Sequence, residues 1–411
     1  MRRAVTRDEL EKPLLPYEEA VRLVVGSFSP LPPALAPLAD ALGQVAADDV
    51  ASDVDVPAFE SSAMDGYAVR SEDAPDASAD RPVVLRIVGE APAGAPTATP
   101  VEAGTAVKIM TGGVLPPGAD AIVPWEDTQP QGDRIAVVRP VRHRRHVRPA
   151  GEDVHAGERV VARGEVLTPV HLGVLASIGR VDVPVHPRPR VAILSTGDEV
   201  ASPGEPLGPG RVYDANATLL AALAKSAGAI VVSARWLPDD PTQIRDWLRD
   251  IGPHADLVVT TGGASVGEHD WLREVLQRDG ELGMWRVAMK PGKPVAFGSV
   301  GGTRVLALPG NPGSAYACAH TFVVPAIRAM GGRPPEHRVV EAVLGDDVAG
   351  SPSRTLLCRV RLDRNESSTI AHPLPAQSSV VLSNLLPADG FAIVRPGGLA
   401  TGDPVRVELF D

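Results

Sequence analysis

The chain has 411 residues, a net charge of −11 and a hydrophobic content of 44%. Because this length exceeds one hydrophobic core, we expect about two to four domains. The negative charge argues against binding to nucleic-acid phosphates, and no apolar run reaches the roughly 18 residues of a membrane helix. No apolar targeting segment follows the first residue, and Cys318 and Cys358 lie in apolar stretches, so we expect a cytoplasmic protein with buried, reduced thiols.

The N-terminal region predicts two helices followed by β-structure. Apolar residues recur at helical spacing over residues 17–28 and again over 37–46. From about residue 50, short apolar runs alternate with turn clusters, which is typical of strands. This pattern predicts a small all-β module inserted into the first domain, with strands at 81–88, 106–109, 121–125 and 134–138.

Residues 187–335 alternate strands with helices, which predicts an α/β domain with a mainly parallel, Rossmann-like sheet. Asn216 is predicted to cap a helix that Gly228 ends, and Asp240 is predicted to cap the next one. We expect Pro325 to kink the last helix. The predicted strands are 190–195, 230–234, 257–260, 295–299 and 305–308.

The C-terminal region, residues 336–411, is strand-like throughout. It predicts a separate β-barrel or sandwich. The predicted strands are 339–344, 356–362, 379–382, 391–394 and 404–410.

Three Gly/Pro-rich loops each follow an apolar run of the α/β region, at residues 260–270, 289–294 and 308–314. Open α/β sheets bind ligands at the carboxyl ends of their strands. In the first loop, Gly262 and Gly263 would let backbone amides approach an anion closely. The glycine spacing is not that of a dinucleotide-binding loop.

Lysine is rare in this chain, since only five of the forty basic residues are lysines. Two of the five, Lys290 and Lys293, flank a Pro-Gly turn. A compact ammonium group approaches a small oxyanion more closely than a planar guanidinium does. The pair therefore predicts an anion site, and the alternative is a solvated hairpin with surface lysines.

Carboxylates cluster where strands are predicted to end. Asp270 could cap a helix or hold a divalent cation that bridges phosphates. Asp240 is explained as a cap, whereas its neighbour Asp239 is not and could be a metal ligand. Asp198 and Glu199 could hold Mg²⁺ or orient a ribose or pterin, and the alternative is an exposed acidic loop.

Two predicted turns of the inserted β region contain Asp65, which offers a carboxylate, and Thr111, which offers a hydroxyl group. The basic run 142–148 precedes Glu152 and Asp153. This run could meet a phosphate or the acidic surface of another subunit, or it could be a solvated face. No histidine or cysteine spacing indicates structural zinc.

Taken in order, these motifs resemble those of the molybdopterin molybdenumtransferase (MoeA) family, which is related to the gephyrin C-terminal domain. The resembling segments are 61–68, 109–112, 148 with 151–153, 196–199, 262–270, and 289–294 with 309–314. The resemblance covers about residues 14 to 411 and implies an elongated homodimer of four-domain chains. The implied domains are 1–53 completed by 147–186, the β insert 54–146, the α/β domain 187–335 and the β-barrel 336–411.

The resemblance implies that molybdenum from molybdate is inserted into adenylylated molybdopterin, with Mg²⁺ assisting cleavage of the phosphoanhydride and AMP as a product. Lys290 and Lys293 would be catalytic, and Asp239 and Asp270 would hold Mg²⁺. The other implied catalytic residues are Asp65, Thr111, Asp153 and Glu199. The implied substrate-binding residues are Gly262, Gly263, Ser265, Asp198, Ser314, Arg148, Arg359 and Ser379. Those that would reach in from the other subunit are Asp65, Thr111, Arg148 and Asp153.

Two alternatives stay open at this point. A molybdopterin adenylyltransferase shares the α/β domain but lacks the flanking β regions. A gephyrin-like scaffold would bind partner peptides without needing the lysines and carboxylates. Adenylyltransferase and molybdoenzyme partners are implied as well. The chain departs from the family pattern at Ala215, where serine is usual, and at Ser378, where glycine is usual.

Overall fold

The computed structural model describes residues 13–262, 271–365 and 368–410, with the backbone alone given for residues 271–274. The chain forms two compact units. The first unit comprises Met1–Leu35, Gly43–Ala47 and Pro184–Asp411, and the second comprises Ala36–Leu42 and Asp48–Val183.

The helices and strands are named in chain order. The helices are α1 (Tyr17–Val25), α2 (Pro169–Ser177), α3 (Asn216–Ser226), α4 (Pro241–Ile251), α5 (Trp271–Asp279), α6 (Pro312–Cys318) and α7 (Val324–Met330). The strands are β1 (Ala34–Pro37), β2 (Val45–Ala46), β3 (Val50–Ala51), β4 (Ser61–Ser62), β5 (Gly66–Val69), β6 (Val83–Ala91), β7 (Thr105–Ile109), β8 (Ala121–Pro124), β9 (Thr128–Gln131), β10 (Arg134–Val137), β11 (Val147–Arg148), β12 (Arg159–Val161), β13 (Asp182–His186), β14 (Arg190–Thr196), β15 (Val200–Ala201), β16 (Val212–Tyr213), β17 (Ile230–Leu237), β18 (Leu257–Thr261), β19 (Gly280–Trp285), β20 (Met289–Lys290), β21 (Ala296–Val300), β22 (Thr303–Leu308), β23 (Val339–Leu344), β24 (Thr355–Arg364), β25 (Thr369–Pro373), β26 (Gly390–Val394) and β27 (Pro404–Leu409).

A six-stranded sheet forms the centre of the first unit, in the order β17-β14-β18-β22-β21-β19. The first four strands are parallel to one another, and β21 is antiparallel to both of its neighbours, β22 and β19. This confirms the predicted mainly parallel sheet. Ile193 and Val259 belong to the apolar core on one face, and Leu194 and Val258 to the core on the other. Both faces are therefore covered, as parallel sheets require.

Of the two predicted N-terminal helix caps, one is confirmed and the other is wrong. The Asp240 carboxylate accepts hydrogen bonds from the backbone N–H groups of Thr242 and Gln243, so it caps α4 as predicted. Asn216 does not cap α3, because it is already the first helical residue. The Asp214 carboxylate accepts from the Ala217 N–H instead, over 3.0 Å.

The segment around Pro325 departs from α-helical hydrogen bonding. Between α6 and α7, Ala319–Val323 form a π-helical stretch immediately before this proline. Proline lacks the N–H that would continue the helical ladder. The kink predicted at Pro325 therefore corresponds to a local change of helix type.

The C-terminal strands close into a barrel. They run in the order β24-β25-β23-β27-β26, and β26 pairs back onto β24. This confirms the predicted barrel. The strand predicted at 379–382 is wrong, because the segment turns instead, and the Ser379 carbonyl accepts from the Ser314 N–H at the start of α6.

A cluster of rings joins the π-helical stretch to the barrel. His320 stacks on His337 with 3.6 Å between ring centroids, and it meets Phe391 and Phe410 edge-on. Among the described residues, the only group of three potential metal ligands is His320, His337 and Glu408. The His337 Nε2 atom lies 2.7 Å from the His320 carbonyl oxygen, so this nitrogen already has a hydrogen-bond partner within the cluster. We therefore interpret this group as packing.

The second unit is β-rich, as predicted for the insert. Its largest sheet has the order β8-β5-β7-β6-β10-β9.

The first predicted helix is present as α1 and ends before Gly26, but the helix predicted at 37–46 is wrong. Pro37 ends a strand there, and Gly43 adopts a positive φ of 75°, so the apolar spacing does not support a helix. Helix α2, which a Thr168–His171 capping box starts, was missed.

Within the described residues, no helix has both the length and the apolarity that crossing a bilayer would require.

Both cysteines are buried and free, as predicted. Burial raises the pKa of the Cys318 thiol and raises that of Cys358 to about 11. Because the thiolate is the reactive form, we expect a disulfide reagent at pH 8 to label the native protein at least about a hundredfold more slowly than the urea-unfolded protein. Rapid labelling of the native thiols would contradict the buried positions.

Candidate functional site

A cavity of about 700 Å³ lies in the first unit, where the α/β region meets the barrel. Lys290 and Lys293 line one part of it, and Arg354 lines another. Further lining comes from the segment after β22 and from the loop before β26, with Pro309, Asn311, Ser314, Gln377, Ser378 and Ser379. The predicted anion loops and the barrel therefore share one concave site.

The turn that carries the two lysines is anchored in the core. Pro291 and Gly292 are buried, and Gly292 has a φ of 111°. A Cβ atom at Gly292 would lie 2.5 Å from the Cys318 sulfur, so only glycine fits. The backbone of the turn is therefore packed against the core, whereas Lys290 itself is exposed, as in the alternative of a hairpin with surface lysines.

Arg354 is a site residue that the sequence reasoning missed. Its side chain is partly buried and, like Lys290 and Lys293, makes no hydrogen bond or ion pair with any residue that the structure describes. The Asp347 carboxylate also lines the cavity, but it accepts hydrogen bonds from the Thr401 N–H and hydroxyl, each over 2.8 Å. Three cationic side chains thus line the cavity without an ion pair to any acidic residue in the described part of the chain, which favours an anionic ligand.

Arg359 lies behind the cavity wall. Its side chain is 1% exposed and donates to the carbonyl oxygens of Ala376 and Ser378 over 3.3–3.4 Å. Burial lowers the pKa of its guanidinium group. Arg359 therefore fixes the loop that presents Ser379, whose hydroxyl oxygen accepts from the Asn311 amide over 3.1 Å.

Two of the predicted residues, Asp198 and Asp239, contact each other at the carboxyl ends of β14 and β17. The Asp198 carboxylate, after β14, accepts a hydrogen bond of 3.2 Å from the backbone N–H of Asp239, after β17. Nearby, the Trp236 indole donates to the Gly197 carbonyl over 2.9 Å. Glu199 is exposed beside Gly197. Neither Asp198 nor Asp239 lines the lysine cavity.

The carboxyl ends of β17, β14, β18 and β22 form one edge of the sheet. Gly262 follows β18 with a φ of 90°, and a Cβ there would collide with the Thr196 carbonyl. Neighbouring strands are about 4.8 Å apart, so roughly 14 Å separates the first of these ends from the last. The edge thus leads from the carboxylates to the lysine cavity. Gly263, Ser265 and Asp270 lie outside the described residues.

The second unit brings two predicted residues together. The Asp65 carboxylate accepts hydrogen bonds from the Thr111 N–H and hydroxyl over 2.7 and 2.8 Å, and these bonds lower its pKa. Arg148 forms an ion pair with Glu152, and Asp153 is exposed.

The basic run is largely engaged within the second unit. Arg144 pairs with Glu60, Arg145 pairs with Asp127, and His143 lies 3.0 Å from Asp120. These internal pairs support the interpretation of the run as a solvated face.

Sequence models of one family match most of the chain. A MoeA N-terminal region (domain I and II) matches residues 15–179, a probable molybdopterin binding domain matches 192–329, and a MoeA C-terminal region (domain IV) matches 341–410.

Whole-chain relatives agree with these matches. Molybdopterin molybdenumtransferase 2 of Mycobacterium tuberculosis is 38% identical over 366 residues, which are 87% of this chain and 90% of that protein. The molybdopterin molybdenumtransferase of Haemophilus influenzae is 33% identical over 383 residues, 91% of this chain and 93% of that protein. The chain belongs to the molybdopterin molybdenumtransferase (MoeA) family. A solved MoeA structure from Pyrococcus horikoshii has a TM-score of 0.80 at 32% identity, covering 97% of this chain and 100% of that one.

Membership of the MoeA family makes the chain an enzyme, a transferase of molybdenum cofactor biosynthesis. The three matched regions include both β regions that flank the α/β domain.

Gly313, at the start of α6, is a sensitive position of the site. A Cβ there would collide with the Arg359 guanidinium and lie 2.7 Å from the Ser379 carbonyl oxygen. We expect Gly313→Ala to lower the free energy of unfolding by about 1–3 kcal/mol in urea titrations. As a control, Gly173→Ala in α2 has nothing within 4 Å of the added atom and should leave stability equal or slightly higher. Equal effects of the two substitutions would contradict the packing described.

Proposed function

We propose that the protein inserts molybdenum from molybdate into adenylylated molybdopterin, cleaving the phosphoanhydride with Mg²⁺ and releasing AMP. The supporting observation is the cavity in which Lys290, Lys293 and Arg354 face one space with no acidic partner among the described residues. Molybdate and phosphate are both small oxyanions, and fixed positive charge stabilises either one.

The lysines and the barrel would hold the oxyanion together. Ammonium groups donate from any side, whereas the planar Arg354 guanidinium offers a fork. Ser314 begins a helix and lines the same cavity, so its hydroxyl is available as a further donor. Gly262, Gly263 and Ser265 of the 260–270 loop are proposed to cradle the pterin phosphate.

The segments after β14 and β17 bring Asp198 and Asp239 together through a backbone contact of 3.2 Å, and carboxylate oxygens are the ligands that a hard divalent cation prefers. Asp239 would hold Mg²⁺ with Asp270, and Asp198 and Glu199 would line the pterin pocket beside it. Bound Mg²⁺ would neutralise charge on the phosphoanhydride oxygens.

We further propose that the chain acts as a homodimer of four-domain subunits, with Asp65, Thr111, Arg148 and Asp153 completing the site of the other subunit. The Asp65–Thr111 hydrogen bonds support a pre-formed polar group on that surface. Acceptance of the intermediate from an adenylyltransferase and delivery to molybdoenzymes belong to the same proposal.

The function is tested by AMP release from adenylylated molybdopterin in the presence of molybdate. Lys290→Ala/Lys293→Ala should lower the rate at least about a hundredfold, because two charges near the transferred oxyanion are lost. Lys225→Ala, an exposed residue of α3, is the matched control and should keep the rate of the native chain. AMP release that the double substitution leaves unchanged, or ATP consumption with molybdopterin, would refute the proposal.

Arg354 is expected to contribute to oxyanion affinity. Arg354→Ala should weaken molybdate binding about tenfold in titration calorimetry, because one charge-assisted contact is lost. The loss should shrink as salt screens the site. Arg361→Ala, an exposed arginine of β24 that does not line the cavity, serves as the control. Equal affinity of the two variants would exclude Arg354 from the site.

A further inference from the structure

The Asn216 side chain forms hydrogen bonds to two chain segments at the carboxyl edge of the central sheet. Its side-chain amide donates to the Thr261 hydroxyl oxygen over 3.0 Å and to the Gly310 carbonyl over 2.7 Å. The Thr261 hydroxyl in turn donates to the Pro309 carbonyl over 3.0 Å. Asn216 is only 8% exposed, so these bonds form in a water-poor environment.

The two acceptors lie at the start of two separate loops. Thr261 ends β18 and directly precedes Gly262. Gly310 follows β22 and precedes Asn311, which lines the lysine cavity. Thr261 is opposite Leu308 in the parallel register, so the loops leave adjacent strands side by side. One amide group therefore connects the end of β18 to the segment that lines the cavity wall.

Helix capping does not explain this side chain, because Asp214 already accepts the hydrogen bond at the start of α3. A gain in folding stability does not explain the presence of this side chain either. The Asn216 Oδ1 atom is buried without a hydrogen-bond partner among the described residues, which is unfavourable for folding. What the residue supplies is the pair of donated hydrogen bonds to the loops.

We propose that Asn216 is a positioning residue, which holds the end of β18 at Thr261 and the segment after β22 at Gly310 in register so that both sides of the sheet edge engage the same substrate. This inference rests on the proposed function for its substrate, but the coupling of the loops is a property of the unliganded chain. Loss of the amide donors should loosen both loops at once.

The first measurement is hydrogen exchange of the full chain without ligand. Asn216→Asp keeps the side-chain volume but removes both donors, and we expect at least tenfold faster exchange around residue 262 and at 310–314. Ser226→Ala, at the other end of α3, removes an exposed hydroxyl that bonds only to the Leu223 carbonyl. This control should match the unsubstituted chain. Unchanged exchange of both loops in Asn216→Asp overturns the inference, whatever the activity.

The second measurement is a double-substitution cycle on steady-state kinetics with Asn216→Ala and Thr261→Val. Because both side chains belong to one hydrogen-bonded chain, each single change should raise KM about tenfold, and the pair should raise it little further. Independent, multiplying effects on KM would overturn the inference. If the unsubstituted chain releases no AMP while the exchange result holds, the proposed function fails and the loop coupling stands.

Discussion

The site depends on positive charge that forms no ion pair with the protein groups that the structure describes. Lys290, Lys293 and Arg354 face one cavity, and side chains of like sign repel one another there. The fold holds them in place by packing, since Gly292 seats the lysine turn against Cys318. A bound oxyanion would relieve the repulsion, so binding free energy is available without any large rearrangement of the loops. The cavity is in this sense prepared for a ligand of opposite charge.

The parallel sheet explains why distant parts of the sequence serve one substrate. Strands β17, β14, β18 and β22 end at the same edge, with Asp239 and Asp198 after the first two strands and a cavity-lining segment after the last, and roughly 14 Å separates the end of β17 from that of β22. A ligand with a phosphoanhydride between two larger groups has a comparable length. The barrel completes the cavity, with Arg359 buttressing the loop that carries Ser378 and Ser379. The separate metal and oxyanion positions that we propose would suit a reaction in which one group leaves and another enters.

Local signals in the sequence predicted much of this architecture. Asp240 caps its helix through the backbone N–H groups of residues only two and three positions later. The strands that end at the Gly/Pro loops likewise follow from short-range sequence patterns. Errors arose where distant contacts decide the structure. Asparagine commonly caps helices, but the Asn216 side-chain amide donates to Thr261 of β18 and to the Gly310 carbonyl after β22. Arg354 stood out in no motif, because its role depends on a barrel strand closing beside a turn more than sixty residues earlier. The segment 379–382 has strand propensity, yet it turns, and the Ser379 carbonyl accepts a hydrogen bond from the Ser314 N–H of α6.

The direct test is crystallographic. Crystals soaked in tungstate, which has the charge and shape of molybdate and a strong anomalous signal, should show an anomalous peak inside the cavity, within hydrogen-bonding distance of Lys290, Lys293 or Arg354. Crystals of the Lys290→Ala/Lys293→Ala variant should lose that peak. A tungstate peak only elsewhere on the chain, with the cavity empty at saturating tungstate, would contradict the assignment of this cavity as the oxyanion site.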